Sequence, residues 1–248
     1  MRFADKTIVL VGAPNDLMYS TVEQASSEGA RVVCGIPQGS DHARLEGHSE
    51  ISELDIHDET SLHTFFSSVK RFAHLVVFQE MGVQGVQWEL KTSLAHDSFQ
   101  KIFWFPFDAA KRGGPFLEEK GSIVFVCASS TRRPMKGMSV VGTANAALEA
   151  LAANLAVEMA PRRANTVNPG LYLQAARAEE VDAVKEGKVG NVVSGLLAPG
   201  VDQPRNVGRT VLHLMADPGI TGSVVDASVL MKGCCTADIS GWVTIAGC

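Results

Sequence analysis

The stretch GSIVFVCASSTRRPMKGMSVVGTANAALEALAANLAVEMAPRRANTVNPG, residues 121–170, decides the fold of this chain. It opens on a continuous apolar run, residues 121–127, of the kind that forms a strand buried on both faces. Residues 139–159 follow as an Ala/Leu-rich segment with no proline and only Gly142 as glycine, which predicts a long helix. Residues 164–167, Ala-Asn-Thr-Val, then give a second strand. Strand, helix and strand in that order make one handed crossover, the repeating unit of a parallel sheet.

Working outward, the same alternation continues in both directions. Residues 7–11, 31–34, 51–55 and 74–78 read as four more buried strands, and residues 222–226 as a last one. Helices are predicted over residues 20–29, closed by Gly29, over 59–72, and over a long segment from 96 to 117. The pattern predicts an α/β chain with a doubly wound parallel sheet, helices on both faces, and ligands at the carboxyl ends of the strands. No repeat, low-complexity tract or linker interrupts it, so residues 1–248 read as one domain. The Gly/Pro-rich residues 195–204 read as a loop over the site.

Composition narrows the function classes. The chain is 46% hydrophobic and 20% charged, ordinary for a soluble globular protein with a sizeable core. A net charge of −5 gives no electrostatic reason to expect nucleic acid or an anionic membrane as partner. Basic pairs at Lys70-Arg71, Lys111-Arg112, Arg132-Arg133 and Arg162-Arg163 are scattered. The five cysteines, Cys34, Cys127, Cys234, Cys235 and Cys248, have neither the even count of a disulfide framework nor metal-ligand spacing. No metal is therefore expected, and Cys34 and Cys127 read as small hydrophobes inside apolar runs. The first apolar run is too short to span a membrane and no cleavage-site pattern follows it, so a cytoplasmic location is expected.

Residues 121–170 resemble, without a gap, the serine strand, tyrosine helix and Asn-x-x-x-Pro-Gly segment of the short-chain dehydrogenase/reductase family. The closing ITGSVVDASVLMKG, residues 220–233, resembles the family's C-terminal strand, and Asp55 matches the acidic residue that usually faces adenine. The resemblance covers essentially the whole chain. It implies a Rossmann-type domain, a nicotinamide cofactor, and homodimers or homotetramers.

It also implies a catalytic tetrad, and there the chain departs. In register, the tyrosine position holds Val141, the lysine position Asn145 and the serine position Ala128, while the asparagine falls near Pro106. A one-residue slip would bring Ser129 or Ser130 to the serine position. Valine can neither give nor take a proton, and Asn145 carries no charge to stabilise a phenolate. The chain has only two tyrosines, Tyr19 and Tyr172, and neither lies on this helix.

The cofactor loop departs too. The family pattern Thr-Gly-x-x-x-Gly-x-Gly reads here Val11-Gly12-Ala13-Pro14-Asn15-Asp16-Leu17-Met18, leaving one glycine of three. The second glycine lets backbone approach a pyrophosphate and the third lets helix pack on strand. Asp16 puts a carboxylate where a diphosphate would sit, or else caps the helix; Met18 adds bulk at the close contact. Gly35-Ile36-Pro37-Gln38 lacks an acidic residue for a ribose, and Gln79-Glu80-Met81-Gly82 replaces the family's Asn-Asn-Ala-Gly. Gly12 and Asp55 thus read as vestiges of a cofactor site. No cofactor is the expectation; NAD(P) stays open, weakened by Asp16 and Met18.

The resemblance projects Glu80, Tyr172, Ser129 and Asn145 towards the reacting centre as candidate catalytic residues. It projects Met81, Ser130, Arg132, Met138, Val141 and Gln174 towards a substrate pocket, with Met135 adding to its apolar character. Such a pocket suits a bulky apolar ligand held by shape, in a step that needs orientation more than hydride transfer. Some family members in natural-product pathways have been recruited for non-redox steps, including cyclisations. Three readings stay open: a non-redox cyclase, isomerase or lyase of secondary metabolism; a catalytically silent subunit paired with an active paralogue; and a residual NAD(P)-dependent oxidoreductase with another proton donor. Trp104, Phe105 and Phe107 read as core or interface.

Overall fold

The structure is a computed structural model that describes residues 1–127, 134, 136–169 and 203–227. Seven strands form one parallel sheet: β1 (Thr7–Gly12), β2 (Arg31–Pro37), β3 (Glu50–Leu54), β4 (Phe72–Phe78), β5 (Leu117–Val126), β6 (Arg163–Asn168) and β7 (Val224–Asp226). Their order across the sheet is β3-β2-β1-β4-β5-β6-β7. Winding reverses between β1 and β4, which opens a crevice at their carboxyl ends.

Alternate residues of each strand feed two cores. Ile8 and Leu10 of β1 face α1 (Asp16–Ser27) and α6 (Gln203–Ala216), through Met18, Val22, Val211 and Leu212. Val9 and Val11 face the opposite core, with Leu62, Phe65 and Phe66 of α2 (Glu59–Val69), Phe105 of α4 (Phe105–Gly113), and Leu148 and Ala152 of α5 (Ser139–Glu158). For β1, β2 and β4, burial on both sides is what their unbroken apolar sequences require; the edge strands β3 and β7 stay partly exposed. By length and composition α5 could cross a membrane; here it packs on the sheet.

Three sequence expectations shift. The helix expected over 59–72 stops at Val69, where Lys70 takes φ +66° and frees Phe72 to begin β4. The long helix expected over 96–117 is α3 (Thr92–Phe99), a π-helical turn (Gln100–Trp104), α4 and a 3-10 turn (Gly114–Phe116). Pro106 explains the break. It has no N–H for the carbonyl four residues back and its ring crowds that carbonyl, so the helix widens by a π turn. Of the loop expected over 195–204, residues 203 and 204 begin α6 and the rest lie outside the described residues.

Two buried polar side chains tie the layers. Arg163 donates to the carbonyls of Leu214 and Met215, both at 2.6 Å, and to Ile220 at 3.1 Å, so β6 holds the last turn of α6. His74 on β4 lies 2.9 Å from Ser122 Oγ with its ring edge-on to Phe3. Burial pushes its pKa down to about 3, with the charges of Arg163 and Lys6 acting the same way.

Unfolded, this imidazole takes a proton near pH 6.5, and folded it does not until far lower, so the unfolded state binds more protons between those limits. Stability therefore falls as pH drops below about 6.5, by at most roughly 1.4 kcal/mol per pH unit from this one group. His74→Gln should flatten that slope in urea titrations run from about pH 7 to about pH 4.5. An unchanged slope would remove His74 from the account.

Candidate functional site

The crevice is set by the turn from β1 into α1. Gly12 has φ +137°, and a Cβ there would meet the Phe78 carbonyl oxygen at 2.2 Å, so glycine alone lets β1 turn this close to β4. Asn15 then caps α1: its Oδ1 accepts from the backbone N–H groups of Leu17 and Met18 at 3.0 Å each, and its Nδ2 donates to Ala13 O. Pro14 has no N–H to offer. Two of the amides that a helix N-terminus presents to a phosphate, those of Leu17 and Met18, are here engaged by Asn15.

Sequence reasoning gave Asp16 two possible roles, as the cap or as a carboxylate in a diphosphate's place, and the cap turns out to be Asn15. Asp16 turns instead to Arg44, 2.6 Å away, whose guanidinium lies over the Tyr19 ring. Arg44 was not singled out from sequence, because nothing local marks its meeting with the first turn of α1. Met18 is fully buried in the core under α1, so its bulk is taken up by packing.

The crevice has a volume of about 190 Å³ and is lined by Ala13, Pro14, Asn15, Gln79, Glu80, Met81 and Lys101. Glu80 leaves the end of β4, and its Oε2 lies 2.8 Å from His57 Nε2. The contact is an ion pair that gives Oε2 no well-aligned hydrogen bond, and Gln79 Oε1 beside it is also buried without a donor. His57 sits in the turn after β3, where its backbone N–H donates to Asp55 Oδ1 and its ring stands edge-on to Phe105. The close contact with Glu80 does most to raise the His57 pKa; burial opposes this, the charges of Glu80 and Asp55 add to it, and Lys101 subtracts. Lys101 is itself held by Asp97 at 2.8 Å. Sequence reasoning placed Glu80 here and missed His57, which no motif marks.

Val141, which the resemblance sets at the tyrosine position, is closed off. Val141 is 4% exposed and packs with Ile102, Ala144, Phe99 and Met138. Over it runs the chain that follows β4. A Cβ on Gly82 would come within 2.7 Å of Ile102 and 3.1 Å of Val141. Three hydrogen bonds hold that chain down: Val83 N to Ser98 Oγ, Gly85 N to Gly137 O, and Ser139 Oγ to Gln87 Oε1. Asn145 is fully buried and its Nδ2 donates to Val141 O.

Val141 and Met138, expected as walls of an open pocket, are thus members of a small apolar cluster beneath a tied loop, and Asn145 reaches back along its own helix. Met81 is exposed at the crevice rim. Asp55, expected as a cofactor vestige, braces the His57 turn with its side chain, and Gly12 shapes the crevice. Tyr172, Ser129, Ser130, Arg132 and Gln174, with Ala128 and Met135, lie outside the described residues. No cluster able to hold a metal is found among the described residues.

A family model described as enoyl-(acyl carrier protein) reductase matches residues 12–228. The chain is 31% identical over 109 residues to the short-chain dehydrogenase/reductase ATR9 of Stachybotrys chlorohalonatus, a match covering 44% of this chain and 43% of that protein. Against the uncharacterized oxidoreductase YxbG of Bacillus subtilis it is 25% identical, over 91% of this chain and 90% of the other. Among solved structures, a small-chain dehydrogenase in complex with NADPH superposes with a TM-score of 0.73 at 26% identity, covering 90% and 96% of the two chains. BdcA, also in complex with NADPH, superposes with a TM-score of 0.78 at 22% identity over 94% and 97% and shares the fold.

Restoring the tetrad's chemistry at Val141 and Asn145 should fail on packing. The double variant Val141→Tyr, Asn145→Lys is expected to lose about 1–3 kcal/mol in denaturant titration through overpacking. It should also oxidise no NADPH with a panel of ketones and aldehydes. Carbonyl reduction at unchanged stability would show that the position is open.

Proposed function

The chain belongs to the short-chain dehydrogenase/reductase family, and on that premise we propose that it is a non-redox enzyme acting on a small molecule. The proposed reaction class is isomerisation, cyclisation or elimination, and the substrate class a bulky apolar compound of secondary metabolism. One observation carries the reading: Val141 lies sealed at the position where the family's proton donor would stand. Glu80, in the crevice and backed by His57, is then the candidate acid/base. As a carboxylate it takes a proton from one atom of the substrate and returns it to another, the balance of an isomerisation, with no hydride moved. Tyr172 and Ser129 enter the proposal as hydrogen-bond donors to the substrate, and Ser130, Arg132 and Gln174 as further contacts.

A second reading, an NAD(P)-dependent oxidoreductase with a different proton donor, has its own support. The structure at 26% identity is an NADPH complex, and Gly12 keeps the tight turn after β1. Calorimetric titration with NAD+, NADH, NADP+ and NADPH separates the two. The non-redox reading expects no Kd below about 1 mM for any of them. Micromolar binding of one would replace it with the oxidoreductase.

The proposal includes self-association as a homodimer or homotetramer. Phe103, Trp104 and Phe107 form an aromatic cluster around α4, with Trp104 47% exposed, an indole that a second subunit would cover. A heteromer with an active paralogue would use the same face. Cytoplasmic residence is proposed with it, supported by Cys34 and Cys127 as buried free thiols. Light scattering should give a dimer or tetramer that Trp104→Glu shifts towards monomer; a monomeric wild type would remove the interface.

A further inference from the structure

We infer that the crevice at the carboxyl ends of β1 and β4 takes a ligand carrying cationic N–H donors, an amidinium or protonated amine, in place of an anion. In a doubly wound sheet this position is commonly an anion site, because the helix that starts there points free N–H groups into it. In this chain the polarity is reversed. The amides of Leu17 and Met18 are hydrogen-bonded to Asn15 Oδ1, and Pro14 has none to give. Lys101, the one cation lining the crevice among the described residues, is paired with Asp97. The nearby Arg44 is paired with Asp16.

The acceptors stand the other way. Gln79 Oε1 is buried and receives no hydrogen bond, and Glu80 Oε2 meets only the ill-aligned contact with His57. Buried acceptors without donors are uncommon, and each is a place where a bound donor gains more than it would from water. Two acceptors on consecutive residues that line one crevice suit the planar fork of an amidinium or the several protons of an ammonium. A crevice of about 190 Å³ suits a small group of that kind. The walls, Pro14 and Met81, leave room for an apolar body attached to it.

A cation bound at Glu80 competes with His57 for the carboxylate. Besides Glu80, the charged groups that act on this imidazole are Asp55 and Lys101, and neither changes on binding. Binding should therefore weaken the hold of His57 on its proton, which gives a readout independent of turnover. The inference rests on the non-redox reading only in that no dinucleotide fills the crevice.

Benzamidinium is the probe, with benzoate as an anion of the same shape and inorganic pyrophosphate as the anion of the usual site. Titrated into the full chain and followed through the His57 ring signals by NMR, benzamidinium should saturate in the millimolar range and lower the His57 titration midpoint. Glu80→Gln should weaken it at least about tenfold, a difference of about 1.4 kcal/mol. Gln79→Leu, which leaves the His57–Glu80 pair intact, should weaken it severalfold. Benzoate and pyrophosphate should leave these signals unmoved. Failure of benzamidinium to bind, a response that survives both variants, or saturation by either anion would each overturn the inference. The nicotinamide titrations decide the non-redox reading separately, so the two can fail apart.

Discussion

Gly12 and the Phe78 carbonyl meet with no room between them for a single carbon atom, and the site follows from that contact. Because β1 can turn hard against the end of β4, α1 starts within reach of the loop leaving β4. Asn15 then falls where its side chain can close over the first helical amides. Gln79 and Glu80 leave β4 directly opposite, into the same crevice. Two short segments, residues 13–15 and 79–81, supply nearly all of its lining. The fold fixes where these residues stand; which residues they are decides what the crevice can hold.

Charge placement around the site follows a consistent logic. Among the described residues, Arg44, Lys101 and His57 near the crevice each have a carboxylate beside them: Asp16, Asp97 and Glu80. Exposed pairs of this kind add little to stability, since solvent screens them and ordering two long side chains costs entropy. Their consequence lies in availability. A guanidinium or ammonium already facing a carboxylate has less to gain from a phosphate.

The strands were legible because burial on both faces leaves unbroken apolar runs, which few other structures need. Sequence also set Val141 and Asn145 at the positions that the resemblance gives to the tyrosine and lysine. It did not show that Val141 is sealed, because the seal is Gly82, almost sixty positions earlier in the chain. Asn15 and Asp16 are both good capping residues, and only the backbone angle at residue 15 decides between them. The π turn before Pro106 was hidden because a composition suited to helix says nothing about where the hydrogen-bond ladder must slip. His57 escaped notice for a topological reason. Its partner leaves β4, which lies three strands across the sheet from β3.

Arg163 has a bearing on how the molecule comes apart. Its guanidinium, reaching from β6, is the acceptor-bound end of three carbonyl contacts at and beyond the last turn of α6. Peeling α6 from the sheet would break the charge-assisted hydrogen bonds to Leu214 and Met215 at once. Opening of the helix is therefore bound to opening of the strand. Beside them, Asn165 receives Ser223 N–H and donates to Ile220 O, drawing the approach to β7 into the same group. This flank of the sheet should fluctuate as one cooperative block, with amides of α6, β6 and β7 exchanging hydrogen together.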